Sequence, residues 1–402
     1  MFELKPMLSA LWRNKVSAML IALQIALTLA IVSNAVTIIQ ERQEKIARPT
    51  GIDVENLIAV TFMPVPADYD MAGAVAADLD LMRSMPGVVD ASVTNQAPIS
   101  GSGSASGYFF EPNQEVGDIT ANYYQTDPHF INTLGLKLTA GRNFREDEMD
   151  ILGPHQNYNA DVAIITQQFA DQAFPGESAL GKYLYGGRDD HPTQIIGIVE
   201  RHIGAWPGWS LAGNVVFYPV MAEGNHKRYL VRTEPGQRDE IFKQLEDKLA
   251  ERDPQRVIHL ETTENHMKET YSSDNLMIKV LTLVVSLLTF IVALGIVGLT
   301  IFWINQRAKQ IGIRRALGAS RRNISRYFLL ENSIIAITGL VLGGTAAMLI
   351  NGLIASNFSQ PLLSLPMLIT CALVLLLVSL LAALVPALRA ANISPAMATR
   401  SV

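Results

Sequence analysis

Four groups of side chains in this 402-residue chain are of types that could do chemistry. The first, Gly176–Lys182 (GESALGK), matches the GxxxxGK spacing with which backbone N–H groups and a lysine cradle phosphates. Tyr183 stands where a Ser or Thr hydroxyl should hold Mg²⁺, and a helix-like segment rather than a strand precedes the match. The stretch therefore reads as an ordinary turn. The second group is the histidines: His129, His155, His191, His202, His226, His259 and His266. None sits in HExxH or another tight ligand spacing, so no metal site is assigned. His202 stands near Trp206 and Trp209 in a Gly/Pro loop, which fits a contact with a partner or packing beneath the loop. The third is Glu331, an acid in an otherwise apolar run, where charge is costly and tends to mark function. It can reach the membrane interface or pair with Arg314 or Arg326. No nucleophile–base motif is legible, so no catalytic residue is assigned.

The fourth group is Arg307–Ile324, RAKQIGIRRALGASRRNI, and its chemistry is docking. Arg307, Lys309, Arg314, Arg315, Arg321 and Arg322 fall inside it with no acid. Ile313, Ala316 and Leu317 follow i, i+3, i+4 spacing, and Arg314 and Arg315 fall off that stripe. Gly318 can end this short helix, and Ser320 can cap the next.

The elements that must position the loop are apolar. Between Lys279 and Arg307 no residue is charged, and past Glu331 none is charged until Arg389. Each span needs roughly 20 residues, so the second gap holds two. The expected order is an amphipathic surface helix over 1–15, a first span over 16–40, and an extracytoplasmic domain over 41–275. A second span over 280–304 follows, then a cytoplasmic loop over 305–326, a third span over 327–354, a short outer loop over 355–365, a fourth span over 366–388 and a cytoplasmic tail over 389–402. The run from residue 16 is too long for a signal peptide. Residues 41–275 carry a net charge of −16 and the remainder +11, which places the basic residues at membrane edges and argues against nucleic acid. Cys371 is the only cysteine, so no disulfide framework exists.

Irregular alternation of strand-like and helix-like runs in 41–275 predicts an α+β domain of two lobes. Ser100–Gly107, SGSGSASG, reads as a loop. In the spans, Gln24 and Thr28 share a face that suits protein contact, Gly295 and Gly298 allow close helix approach, and Gly339 and Gly343 form a GxxxG pair.

One span, a large outer domain and three further spans resemble the layout of MacB/FtsX-like permeases of ABC transporters (type VII). Residues Ile311-Gly312-Ile313-Arg314-Arg315-Ala316-Leu317-Gly318-Ala319-Ser320 fit that family's signature, departing at Gln310, where the family usually has Glu. Pro386–Ala391 and Ile393-Ser394-Pro395 resemble its closing motif. Tyr123–Phe130, Gly141–Phe144, Ala179–Lys182 and Ile196–Val199 look like a MacB-type periplasmic core domain. The resemblance implies that Arg307 and Gln310–Ser320 dock on a cytoplasmic ABC ATPase. It implies that the chain binds no cofactor itself, ATP and Mg²⁺ residing on that ATPase. It further implies an inner-membrane location with both termini cytoplasmic and a partner permease, a second copy or a homologue. A periplasmic adaptor and an outer-membrane channel are further partners in a double-membraned cell. The function implied is mechanotransmission in export of a drug, peptide or lipid-linked substrate. Lipoprotein release and FtsX-like control of cell-wall hydrolases are alternatives within the family, and a membrane-anchored sensor without an ATPase is the alternative from another class.

Overall fold

The computed structural model describes residues 15–66, 69–112, 118–152, 159–186, 191–222, 226–358 and 361–393. The expected surface helix at 1–15 and the closing motif beyond Ile393 therefore lie almost wholly outside the described residues. The chain divides into two units: residues 1–46 with 274–402, and residues 47–273.

Four helices of the first unit are long and apolar enough to cross a membrane. They are α1 (Lys15–Ile46), α7 (Ser272–Gln306), α9 (Arg321–Phe358) and α10 (Leu365–Ala391). A short helix, α8 (Ala308–Ala316), joins α7 to α9. The GxxxG pair explains how α1 meets α9. A Cβ on Gly339 would stand 2.6 Å from the Ala22 carbonyl oxygen, and one on Gly343 would stand 2.6 Å from that of Ala26. Only glycine lets the two backbones approach so closely. Gly295 does the same for the Gln24 side chain, whose Nε2 donates to the Ile291 carbonyl at 3.1 Å. Gly298 differs from expectation. A Cβ there would meet nothing within 4 Å, because the buried face of α7 runs through Val292, Ile296, Thr300 and Trp303. Thr28 is buried, as its position on the Gln24 face requires.

In the second unit, β1 (Leu57–Pro64), α2 (Met71–Ser84) and β2 (Val88–Thr94) open the chain, and β11 (Lys227–Thr233), α5 (Arg238–Arg252) and β12 (Arg256–Thr262) close it, followed by the short helix α6 (Thr263–Thr270). Their strands lie in the order β12-β1-β11-β2, each antiparallel to its neighbour. This is a βαββαβ lobe with a split crossover. Alternation along β1 sends Ile58, Val60 and Phe62 to the core beneath α2 and α5, while Leu57 and Ala59 enter a second core on the other face.

The second lobe is inserted between β2 and β11. It contains β3 (Ala105–Phe109), β4 (Ile119–Thr126), α3 (Phe130–Leu134), β5 (Leu138–Gly141), β6 (Asp150–Leu152), β7 (Val162–Thr166), α4 (Gln167–Ala173), β8 (Tyr183–Gly186), β9 (Pro192–Val199) and β10 (Val215–Ala222). The strand order continues through β4-β3-β8-β9-β7-β10-β6, and β10 also pairs with β4 in parallel. Two lobes of mixed α and β are thus present. The small-residue stretch expected as a loop ends in a strand instead, with Ala105, Ser106 and Gly107 in register with Asn122, Ala121 and Thr120. Their small size fits close packing: a Cβ on Gly103 would stand 2.4 Å from that of Ala205.

Candidate functional site

Ile311 fixes α8 to one end of the helix bundle. It is 4% exposed and packs with Ile304, Ile324, Phe328, Ala387 and Ala390. The opposite face of α8 carries Ile313, Ala316 and Leu317, which follow the expected stripe and are all exposed, Leu317 to 83%. Burial of Ile311 and exposure of Leu317, the residue that caps the helix, mean that α8 is anchored but its apolar stripe is left uncovered among the described residues.

The turn after α8 is rigidly specified. Gly318 takes φ +95°, Ala319 N–H donates to the Arg314 carbonyl at 3.0 Å, and Gly318 N–H donates to that of Arg315 at 3.2 Å. This pair of bonds satisfies helix-end carbonyls, and the positive φ requires glycine. Ser320 then caps α9, its Oγ accepting from Asn323 N–H at 3.2 Å. Both punctuation residues lie where their chemistry suggested.

Arg307 sits at the α7–α8 break and points into the protein. Its guanidinium donates to both carboxylate oxygens of Glu331, at 3.0 and 2.9 Å, and Glu331 is fully buried. The partner of Glu331 is therefore Arg307, not Arg314 or Arg326. Arg314 instead lies against the start of α9, its guanidinium 5.1 Å from the Tyr327 ring centre. Arg315 donates to the Ala319 carbonyl at 3.3 Å, and Gln310 is exposed beside Arg307.

Two amides of α9, Asn332 and Asn351, join Gln24 of α1 as buried or partly buried polar groups within the spans. Asn332 is buried one position past Glu331, and its Oδ1 accepts from the Thr300 hydroxyl at 3.5 Å. Near the other end, Asn351 donates to Asn34 Oδ1 at 3.0 Å and to the Pro361 carbonyl at 3.2 Å, and accepts from Leu363 N–H at 2.7 Å. These bonds tie α1, α9 and the segment entering α10 together. The legible signal was an uncharged amide inside an apolar run.

Residues 282–395 match the FtsX-like permease C-terminal family, and residues 17–248 match the MacB-like periplasmic core domain. The chain belongs to the MacB/FtsX-like family of ABC transporter permeases. It is 26% identical over 234 residues to the macrolide export ATP-binding/permease protein MacB of Neisseria meningitidis, covering 56% of this chain and 35% of that one. It is 28% identical over 252 residues to MacB 2 of Aeromonas hydrophila, covering 58% and 35%. The chain thus spans about a third of the length of the curated relatives it matches. The crystal structure of the periplasmic region of MacB from Actinobacillus actinomycetemcomitans aligns at 15% identity and a TM-score of 0.36, covering 55% of this chain and 94% of that one.

The sites weighed and set aside in the sequence also have places. In GESALGK, Gly176 and Gly181 both take positive φ, and a helix, α4, comes before them and a strand, β8, after them. Lys182 pairs with Glu177 and lies 4.5 Å from the Phe174 ring centre. A phosphate loop needs a strand before it and a helix after it, so the order here is reversed. Among the described residues, no group of three or more His, Cys, Asp or Glu could hold a metal ion. His202 is fully buried, with its ring 5.1 Å from that of Tyr124 and 5.5 Å from that of Phe217. Packing beneath the loop is what it does. Burial pushes its pKa down to about 3, so the ring is neutral.

Proposed function

We propose that this permease transmits force from a cytoplasmic ABC ATPase, a separate subunit, to its outer domain, with α8 as the docking helix. The observation that carries this reading is the exposed stripe Ile313, Ala316 and Leu317 on a helix anchored through Ile311. An apolar stripe beside Arg314 and Arg315, joined at both ends to long helices without a flexible linker, suits a lever. ATP and Mg²⁺ belong to the ATPase, and this chain holds no cofactor of its own.

On this reading the basic loop and both termini are cytoplasmic, because arginine-rich short loops stay inside, and the large domain faces outward across the inner membrane. Two permeases, identical or homologous, form the membrane core. The large outer domain favours export of a drug, peptide or lipid-linked molecule over control of a cell-wall hydrolase. In a double-membraned cell the outer domain would meet a periplasmic adaptor leading to an outer-membrane channel. The name of the Neisseria relative, a macrolide exporter, supports efflux.

The test is gentle purification of the tagged chain from its native membrane, for wild type and Leu317→Asp, with identification of what accompanies it. A Walker-motif ATPase should co-purify with wild type and be lost from the variant, while both chains insert equally. Absence of any ATPase from folded wild type overturns the reading and favours a membrane-anchored sensor.

A further inference from the structure

A cavity of about 220 Å³ opens between α8 and the first turns of α9, where one water needs roughly 10–15 Å³. Arg307, Gln310, Arg314, Asn323 and Tyr327 supply its polar wall, and Ile311, Ala319, Ile324 and Phe328 its apolar wall. The charges do not balance. Glu331 neutralises Arg307, but among the described residues no carboxylate pairs with Arg314, whose guanidinium rests only over Tyr327. No acid occurs from residue 275 to 330. The cavity therefore presents one uncompensated cation beside two amides, all above an apolar floor continuous with the α8 end of the bundle.

We infer that this cavity binds the headgroup of an anionic phospholipid. A phosphodiester carries the single negative charge that Arg314 lacks, and a guanidinium recognises phosphate oxygens through paired N–H donors. Gln310 and Asn323 offer donors and acceptors to a headgroup hydroxyl. The apolar wall suits the start of an acyl chain, which a free phosphate ester does not have. Basic pockets at the ends of membrane helices are recurrent headgroup sites. The inference needs only that α7 and α9 cross a membrane. It does not depend on ATPase docking, since the exposed stripe of α8 lies on the face opposite Ile311.

The experiment is native mass spectrometry of the full chain in detergent, titrated with phosphatidylglycerol or phosphatidylcholine. Four forms are compared: wild type, Arg314→Gln, Ala319→Phe, and Arg322→Gln as an exposed cation outside the cavity. Size-exclusion profiles confirm that each form is folded. Wild type should retain phosphatidylglycerol at least fivefold better than phosphatidylcholine. Arg314→Gln and Ala319→Phe should each lose that preference, the second by filling space with every charge kept, and Arg322→Gln should keep it. Equal retention of the two lipids by wild type overturns the inference, as does an equal loss in Arg322→Gln or full retention in Ala319→Phe. Competition by glycerophosphoglycerol at the lipid's own concentration would assign the site to a free phosphate ester. Displacement of bound lipid by an added cytoplasmic ATPase would assign it to an acidic protein side chain. Either result overturns the lipid headgroup as occupant.

Discussion

Arg307 donates to both carboxylate oxygens of Glu331, at 3.0 and 2.9 Å, across 24 positions of sequence. The pair joins the α7–α8 break to α9, so it fixes the base of α8 to the bundle. Removing one partner of a buried pair leaves the other charge without compensation, at a cost on the order of 3–5 kcal/mol. Glu331→Gln should therefore lower the midpoint of thermal unfolding in detergent. The double change Arg307→Met with Glu331→Leu should recover most of it, since a buried pair and an apolar replacement are often close in energy. A double variant no more stable than Glu331→Gln alone would show that the pair is not the source of the loss.

Glycine positions in the spans divide into two kinds. Gly343→Val puts branched carbon where the Ala26 carbonyl oxygen and Cα lie 2.6 and 2.7 Å from a Cβ. Overpacking of this sort costs typically 1–3 kcal/mol, and α1 and α9 must separate to relieve it. Gly298→Ala meets nothing within 4 Å and removes a helix-interior glycine, which should stabilise by about 0.5–1 kcal/mol. Thermal unfolding of the two variants side by side should move in opposite directions.

Much of this was legible in the sequence, and for identifiable reasons. The long uncharged runs mark the four membrane-crossing helices because hydrocarbon tolerates almost no charge. Gly318 and Ser320 were legible because each has a local conformational job that does not depend on the rest of the fold. The GxxxG pair was legible because two glycines one turn apart are a recurrent helix-contact motif, whereas Gly295 and Gly298 could not be told apart, since which helix face is covered is a tertiary fact. The partner of Glu331 was missed because Arg314 and Arg326 are nearer to it in sequence, and only the fold at the α7–α8 break brings Arg307 to it. Strands β6 and β8, of three and four residues, were too short to carry an alternation signal. The strand run at Gly107–Phe110 was legible, but β3 begins at Ala105, two residues earlier, because alanine and serine read as loop unless a partner strand supplies the packing.

His202 should make the unit of residues 47–273 sensitive to acid. Its ring is buried among Tyr124 and Phe217, and burial lowers its pKa from the usual 6.5 to about 3. A depressed folded-state pKa means that the unfolded chain takes up the proton first. The contribution is complete above about pH 6.5 and is lost as pH falls toward about 3, with a slope of at most about 1.4 kcal/mol per pH unit. His202→Phe keeps an aromatic ring at the site and cannot titrate. The stability difference between wild type and His202→Phe should therefore change between pH 6.5 and 4, wild type losing ground as the pH drops. A difference that stays constant across that range would exclude His202 as the titrating group.

Asp78 and Arg256 hold together the two ends of the split βαββαβ lobe. Asp78, on α2, is fully buried and accepts from both terminal nitrogens of Arg256, on β12, one of them at 2.9 Å. The Tyr229 hydroxyl donates to the same carboxylate at 2.8 Å, and Arg252 lies 3.5 Å from it. Beside them Tyr69 donates to Asp253 at 2.5 Å, and burial with that bond raises its hydroxyl pKa to about 12. Every side chain in the cluster has a partner, although the buried Nε of Arg256 has none of its own, so the arrangement is costly to break at one point and cheap to replace as a whole. Asp78→Ala should destabilise by about 3–5 kcal/mol, because it strands a buried guanidinium and the Tyr229 hydroxyl together. Arg256→Met alone should cost a similar amount by stranding the carboxylate. The double variant Asp78→Leu with Arg256→Met should fall well short of the sum, a coupling that a double-mutant cycle on thermal unfolding measures directly. Additive losses would mean that the two charges act on stability through separate neighbours. In that case the lobe would be held by its sheet and apolar core alone, with Ile58, Val60 and Phe62 beneath α2 and α5 as its principal contacts.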